Sequence, residues 1–129
     1  FDARFDNENF METGVGSPHV SVLLSNDEVA REFDGHIMAS GFYPDSSDIA
    51  KCIACGASSV EISKLFYGHE ESYGKTETID GTLHKNGVEY NGKIINTVYD
   101  LLNTLEKSCR QAGYKSIKTF RDSAKLVII

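Results

Sequence analysis

With 129 residues, 40% of them hydrophobic, the chain can bury one ordinary globular core. It is too short for a complete eight-stranded (β/α) barrel, which takes roughly 250 residues. A net charge of −6 excludes a nucleic-acid backbone as the main partner, because phosphate contacts need a basic stripe.

Residues 1–12 read as a polar loop anchored by Phe1, Phe5 and Phe10, and the start at Phe1 rather than Met leads us to expect a preceding segment. Residues 13–16 form a flexible turn. Ser17 then serves as N-cap, with Pro18 at the first helical position. Val20, Leu23, Leu24, Val29 and Phe33 recur at helical spacing, with residues 25–27 a place where the helix could break and re-cap; Asp34-Gly35 closes it. Residues 36–39 are a short apolar strand, followed by a loop over residues 40–44. Ser46 or Ser47 caps the next helix and Asp48 favours its positive end. Ile49, Cys52 and Ile53 give that helix one apolar face, and Gly56 stops it. Residues 58–62 are the second strand, and Ser63-Lys64 opens its loop. The strand–helix–strand order predicts a parallel pair with a right-handed crossover.

Asp80-Gly81 and Asn86-Gly87 punctuate residues 76–91 as hairpin or loop. Residues 93–112 carry the longest helical pattern, with Ile94, Val98, Leu101, Leu102 and Leu105 on one stripe. A shorter helix follows at 117–124, where Lys115, Lys118, Arg121 and Lys125 read as a solvated helix face. Residues 126–129 are expected as an edge strand or docked end. There is no internal repeat, no low-complexity segment, no apolar run of membrane-spanning length and no signal peptide, so no membrane is expected as a partner. Cys52, Cys55 and Cys109 are an odd number without framework spacing, which favours a reducing, cytoplasmic setting. The C-x-x-C at Cys52 and Cys55 falls inside a helical pattern and reads as two buried helix residues rather than a redox pair or half a zinc site.

Several motifs, in order, carry a resemblance. Met11-Glu-Thr-Gly-Val-Gly-Ser-Pro18, Gly35-His-Ile-Met-Ala-Ser-Gly41, Asp48-Ile-Ala-Lys51 with Gly56-Ala57, and Gly68-His-Glu-Glu-Ser72 follow one another. Tyr90-Asn-Gly92, Thr97, Asp100, Leu102, Ser108-Cys109 and Gly113 complete the series. Together they resemble the C-terminal part of the IMP dehydrogenase / GMP reductase family, and its GMP reductase branch most closely. The resemblance implies an α/β fold: a partial (β/α) TIM barrel made of strands seven and eight, parallel, with their covering helices. Residues 1–16 would end the catalytic loop, and residues 17–129 would be the C-terminal portion of the barrel. It also implies a cysteine nucleophile, a nicotinamide cofactor (NADPH or NAD), a monovalent cation, and a nucleotide phosphate held by backbone amides after both strands.

Carried over residue by residue, the resemblance puts the catalytic cysteine on Asn7, which cannot form a thiolate adduct. The aspartate that grips the ribose falls on Ser40, followed by Gly41, and the next phosphate-loop glycine falls on Phe42. The glycine pair after the eighth strand falls on Ser63 and Lys64, the latter able to attract phosphate as a point charge. The mobile flap is cut to about residues 76–91. The family-like turn keeps Gly68, His69 and Glu71.

Other candidates have plainer readings beside the sharper ones. Glu61 shares a strand face with Ser59 and Ser63, reading as the wet face of an incomplete barrel, against a new polar site or inter-subunit contact. His69 reads as a solvated turn histidine, against a general base beside Glu70 and Glu71. That carboxylate pair has no further ligand with which to hold a metal. The expectation is therefore a degenerate module with no catalytic residue and no cofactor required of its own, binding a purine nucleotide or serving in assembly. Its partner would be an N-terminal barrel segment or a second copy. The alternative is the C-terminal segment of an active NAD(P)-dependent purine-nucleotide oxidoreductase whose nucleophile lies outside this chain.

Overall fold

The computed structural model of the chain describes residues 15–41, 43, 45–62 and 64–127. Helix α1 spans His19–Glu32. It starts one residue later than the sequence predicts: Pro18 occupies the cap with ψ 132°, and no side chain caps the helix, so Ser17 is not the N-cap. The first turn closes instead through the Val22 amide donating to the Pro18 carbonyl at 3.1 Å. Residues 25–27 do not interrupt the helix, because their polar groups are satisfied on it. Ser25 and Asn26 both bond back to the Val22 carbonyl, and Asp27 pairs with Arg31 one turn on at 2.7 Å. Asp34 then takes a positive φ of 52° and the Gly35 amide returns to the Ala30 carbonyl at 2.7 Å, ending the helix where the sequence places its stop.

Strand β1, Met38–Ser40, leads through helix α2, Ser46–Ala54, to strand β2, Ser59–Glu61. The two strands pair in parallel with Met38 opposite Ser59, Ala39 opposite Val60 and Ser40 opposite Glu61. The predicted parallel pair is thus present: β2 lies in the middle of its predicted stretch, whereas β1 starts two residues later than predicted and runs one residue past it, into Ser40. Helix α2 is capped by Asp45, whose carboxylate accepts from the Ser47 and Asp48 amides at 2.8 and 3.2 Å, rather than by Ser46 or Ser47. Gly56 ends α2 at φ +102°, with Asp27 so close that a Cβ there would lie 2.2 Å from its Cγ.

A single 3-10 turn at Lys64–Phe66 precedes an antiparallel meander of β3, Thr76–Ile79, β4, Thr82–Lys85, and β5, Val88–Glu89. Asp80-Gly81 and Asn86-Gly87 make its two tight turns, all four residues at positive φ, as their sequences demand. Helix α3, Ile94–Gln111, and helix α4, Ile117–Ser123, complete the fold. The α3 stripe differs from the predicted one. Leu101 and Leu105 pack inward with Cys109, whereas Leu102 is 56% exposed beside Ile95 and Tyr99. Adjacent leucines point about 100° apart on a helix, so only one of the pair can face the core.

Helix α2 sits between two buried clusters. Ile49, Cys52 and Cys55 join Leu23, Ala39, Tyr43 and Ala57 on the β1 side, and Ile53 joins Cys109 and Phe120 on the other. The C-x-x-C thiols are free and buried, and burial pushes Cys55 up to about 11, the behaviour of core residues rather than of a redox pair. After α4, residues 124–127 form no strand and Val127 is 85% exposed, against the expected edge strand; residues 128 and 129 lie outside the described ones. The architecture is mixed α/β, a parallel strand pair with helices packed on it.

Candidate functional site

Parallel strands deliver their loops to one end of a sheet, so the ends of β1 and β2 are where chemistry belongs. Ser40 ends β1, half-buried, and its hydroxyl donates to Oε2 of Glu61 at the end of β2. Glu61 is exposed, as the wet-face reading expected. The Ser40–Glu61 contact nevertheless gives that face a specific polar pair.

Gly41 follows, and the ring of Tyr43 folds back over it. A Cβ on Gly41 would meet Tyr43 Cζ and Oη at 3.4 Å and His19 Cε1 at 3.7 Å. Tyr43 is buried, its hydroxyl 2.7 Å from His19 Nε2 and its ring edge-on to the imidazole. Desolvation, a hydrogen bond with Cys52 and the nearby charges of Asp48 and Glu61 hold its phenol well above the usual range. Burial likewise pushes the His19 imidazole down. Neither Tyr43 nor His19 stood out in the sequence, because nothing in local spacing brings residues 24 apart together.

Lys64, exposed on the first residue of the 3-10 turn, lines a cavity of about 310 Å³ together with Tyr43, Tyr67, Gly68, Glu89 and Asn91. Phe42 and Ser63, the other two phosphate-position candidates, lie outside the described residues, as does Asn7. Of the predicted phosphate set, then, Gly41 lies against the Tyr43 ring and Lys64 lines a cavity that Tyr43 also lines.

The family-like turn is built as an anchor. Gly68 is buried with the Glu89 carbonyl only 2.3 Å from where a Cβ would stand, and its own carbonyl accepts the Asn91 amide at 2.9 Å. His69 is not the solvated histidine its turn position suggested. It is 0% exposed, with Nε2 2.6 Å from the Thr97 hydroxyl, Nδ1 without a partner, and the Phe66 ring edge-on at 5.8 Å. The sequence missed this because the burying surface, α3, arrives from 28 residues away. Glu71 accepts the Ile94 amide at 2.9 Å and so caps α3 from a distance, which holds its carboxyl below the usual range. Lys85, only 7% exposed, donates to the Glu70 carbonyl at 2.6 Å, and Asn86 Nδ2 reaches the Tyr67 and Tyr73 carbonyls and the Ser72 hydroxyl at 2.8–3.1 Å. The meander thereby ties the turn down. Among the described residues no three His, Cys, Asp or Glu side chains gather as a metal site, and no helix is long and apolar enough to cross a membrane.

Residues 10–87 match the IMP dehydrogenase / GMP reductase domain. The chain is 30% identical to a GMP reductase of Onchocerca volvulus over 90% of its own length and 40% of that protein's. It is 33% identical to a GMP reductase of Staphylococcus saprophyticus over 84% of its length and 38% of the relative. It is 29% identical to an inosine-5'-monophosphate dehydrogenase of Aquifex aeolicus over 90% and 31%. The chain therefore spans only 31–40% of the length of these relatives. With more than half of its residues inside the matched domain and the parallel pair in the expected stretches, the chain belongs to the IMP dehydrogenase / GMP reductase family.

Proposed function

We propose that the chain is the C-terminal portion of a GMP reductase-like barrel that no longer carries out redox chemistry and keeps a purine-nucleotide site in altered form. Residues 1–16 correspond to the end of the catalytic loop and residues 17–129 to strands seven and eight with their helices. The observation that carries this reading is Tyr43. Its ring covers Gly41 and is fastened to His19, so the backbone after β1, where an amide cradle would receive a phosphate, is filled by the chain's own side chain. Asn7, at the nucleophile position by resemblance, offers no thiolate. The cavity beside Tyr43 nevertheless has ligand-pocket size, at the lower end of the usual 300–1,000 Å³ or about that.

The same reading assigns a partner. Among the described residues β1 and β2 have no further strand on their outer edges, and Met38 on β1, Val20 and Leu24 on α1, and Ile95, Tyr99 and Leu102 on α3 are exposed. An N-terminal barrel segment, in the same or a separate chain, or a second copy, covers these surfaces. The setting is cytoplasmic. A nicotinamide cofactor and a monovalent cation are required only of an active intact protein.

Calorimetric titration with GMP, IMP and NADPH tests the proposal: a purine mononucleotide binds and NADPH does not. Tight NADPH binding, or no binding of any of the three, contradicts it. A second reading, an active NAD(P)-dependent purine-nucleotide oxidoreductase whose nucleophile lies outside this chain, is favoured by the chain's short span against its relatives.

A further inference from the structure

We infer that Asn91 is a site of spontaneous covalent modification, at which the backbone amide of Gly92 closes on the Asn91 side chain and water completes its conversion to aspartate or isoaspartate. The step consumes only water. The Gly92 nitrogen attacks Asn91 Cγ, the Cγ–Nδ2 bond breaks, and Nδ2 leaves as ammonia with the proton that Gly92 gives up. Water then opens the five-membered imide. Opening at the side-chain carbonyl gives aspartate, and opening at the main-chain carbonyl gives isoaspartate. Asparagine is among the thermally labile side chains, and a following glycine has no Cβ to hinder the approach.

Only Asn86 and Asn91 precede a glycine in this chain. Both are exposed, so hydrogen bonding is what tells them apart. Asn86 Nδ2 donates to the Tyr67 carbonyl at 3.0 Å, the Ser72 hydroxyl at 3.1 Å and the Tyr73 carbonyl at 2.8 Å. Its side-chain oxygen also fills the space where a Cβ on Gly74 would stand. The leaving amide of Asn86 is thereby held across the turn against residues 67–74. Asn91 Nδ2 makes a single long bond, 3.4 Å to the Thr97 hydroxyl. The Gly92 amide, the attacking group, donates to no backbone carbonyl among the described residues. Gly92 stands at φ +64° with nothing within 4 Å of where a Cβ would be, so the approach is open.

The position gives the modification a consequence. The Asn91 amide donates to the Gly68 carbonyl at 2.9 Å, and the Glu70 amide donates to the Gly92 carbonyl at 2.8 Å. These two bonds bracket the 91–92 linkage and hold it to the turn whose Glu71 caps α3. Isoaspartate inserts one further backbone carbon between them, which strains or breaks one of the two. Either product also places a new carboxylate beside Glu89 in the cavity that Lys64 lines, which opposes an anionic ligand there.

Ageing the full chain in mildly alkaline buffer, with peptide mass mapping at both positions and assay of released ammonia, tests this. Asn91 is expected to convert at least about tenfold faster than Asn86, the difference that one to two hydrogen bonds on the leaving amide make. In guanidinium chloride, where those bonds are gone, the two rates should converge. Equal rates in the folded chain, or a faster rate at Asn86, overturn the inference. So does an Asn91 that stays intact while the unfolded chain converts both. Asn91→Gln, whose longer side chain closes a ring far less readily, should remove most of the ammonia released by the folded chain, and undiminished release contradicts the assignment. The aged isoaspartate form should melt below the Asn91→Asp variant, which gains the same charge without the extra backbone carbon. Equal midpoints overturn the loosening of the turn.

Discussion

At the end of β1 the buried phenol of Tyr43 meets His19 Nε2 at 2.7 Å, and both groups are held in their neutral forms by desolvation. Removing the hydroxyl in Tyr43→Phe leaves the imidazole without that partner, so a loss of about 1 kcal/mol is expected in urea denaturation. An unchanged midpoint would show the bond to be idle. His19 also sets a pH dependence. Its folded pKa lies below the unfolded value of about 6.5, so below that pH the unfolded chain binds more protons. The contribution is fully present above about pH 6.5 and is lost as pH falls from there toward the depressed folded value. The unmodified chain should therefore lose melting temperature more steeply than His19→Gln as pH falls below about 6.5. Parallel curves for the two proteins contradict the assignment. The acid-side loss from Glu71, whose carboxyl is held low by the Ile94 amide, comes separately, as pH falls through the carboxylate range. Side-chain roles such as these were the least legible part of the sequence. His69 looked like a turn residue and proved fully buried, because beside the neighbouring Phe66 ring it is covered by α3, whose Thr97 hydroxyl meets it from 28 residues away.

Among the elements, helix ends show how far local sequence reaches. Asp45, Ser46 and Ser47 are all competent caps, and residue type alone does not say which one precedes the helical backbone. The structure assigns the role to Asp45 at φ −142°, with two amide bonds. Asp45→Ala is expected to lower the thermal midpoint measurably, while Ser17→Ala, at a helix start that uses no side-chain cap, should leave it nearly unchanged. Equal losses would mean that the α1 start is capped after all. The meander was more legible, since Asp80-Gly81 and Asn86-Gly87 leave the backbone few alternatives. Its purpose was not, because Asn86 and Lys85 act through side chains that reach back to residues 67–73. Gly68→Ala tests that packing. With the Glu89 carbonyl 2.3 Å from the new methyl, a loss of about 1–3 kcal/mol is expected, visible as a lowered thermal midpoint.

Over the whole molecule, the parallel pair and its helices were readable because strand–helix–strand order and the glycine stops leave one arrangement. The partial barrel goes further than the chain itself carries, and it rests on family membership together with the open flanks at Met38 and Tyr99. The central claim is functional: the scaffold of a purine-nucleotide oxidoreductase family persists here without the groups that attack a purine ring. GMP-dependent oxidation of NADPH, followed at steady state with the intact natural protein, tests it most directly. The account predicts no oxidation above the rate without GMP. Repeated turnover that is abolished by a thiol-blocking reagent would contradict it.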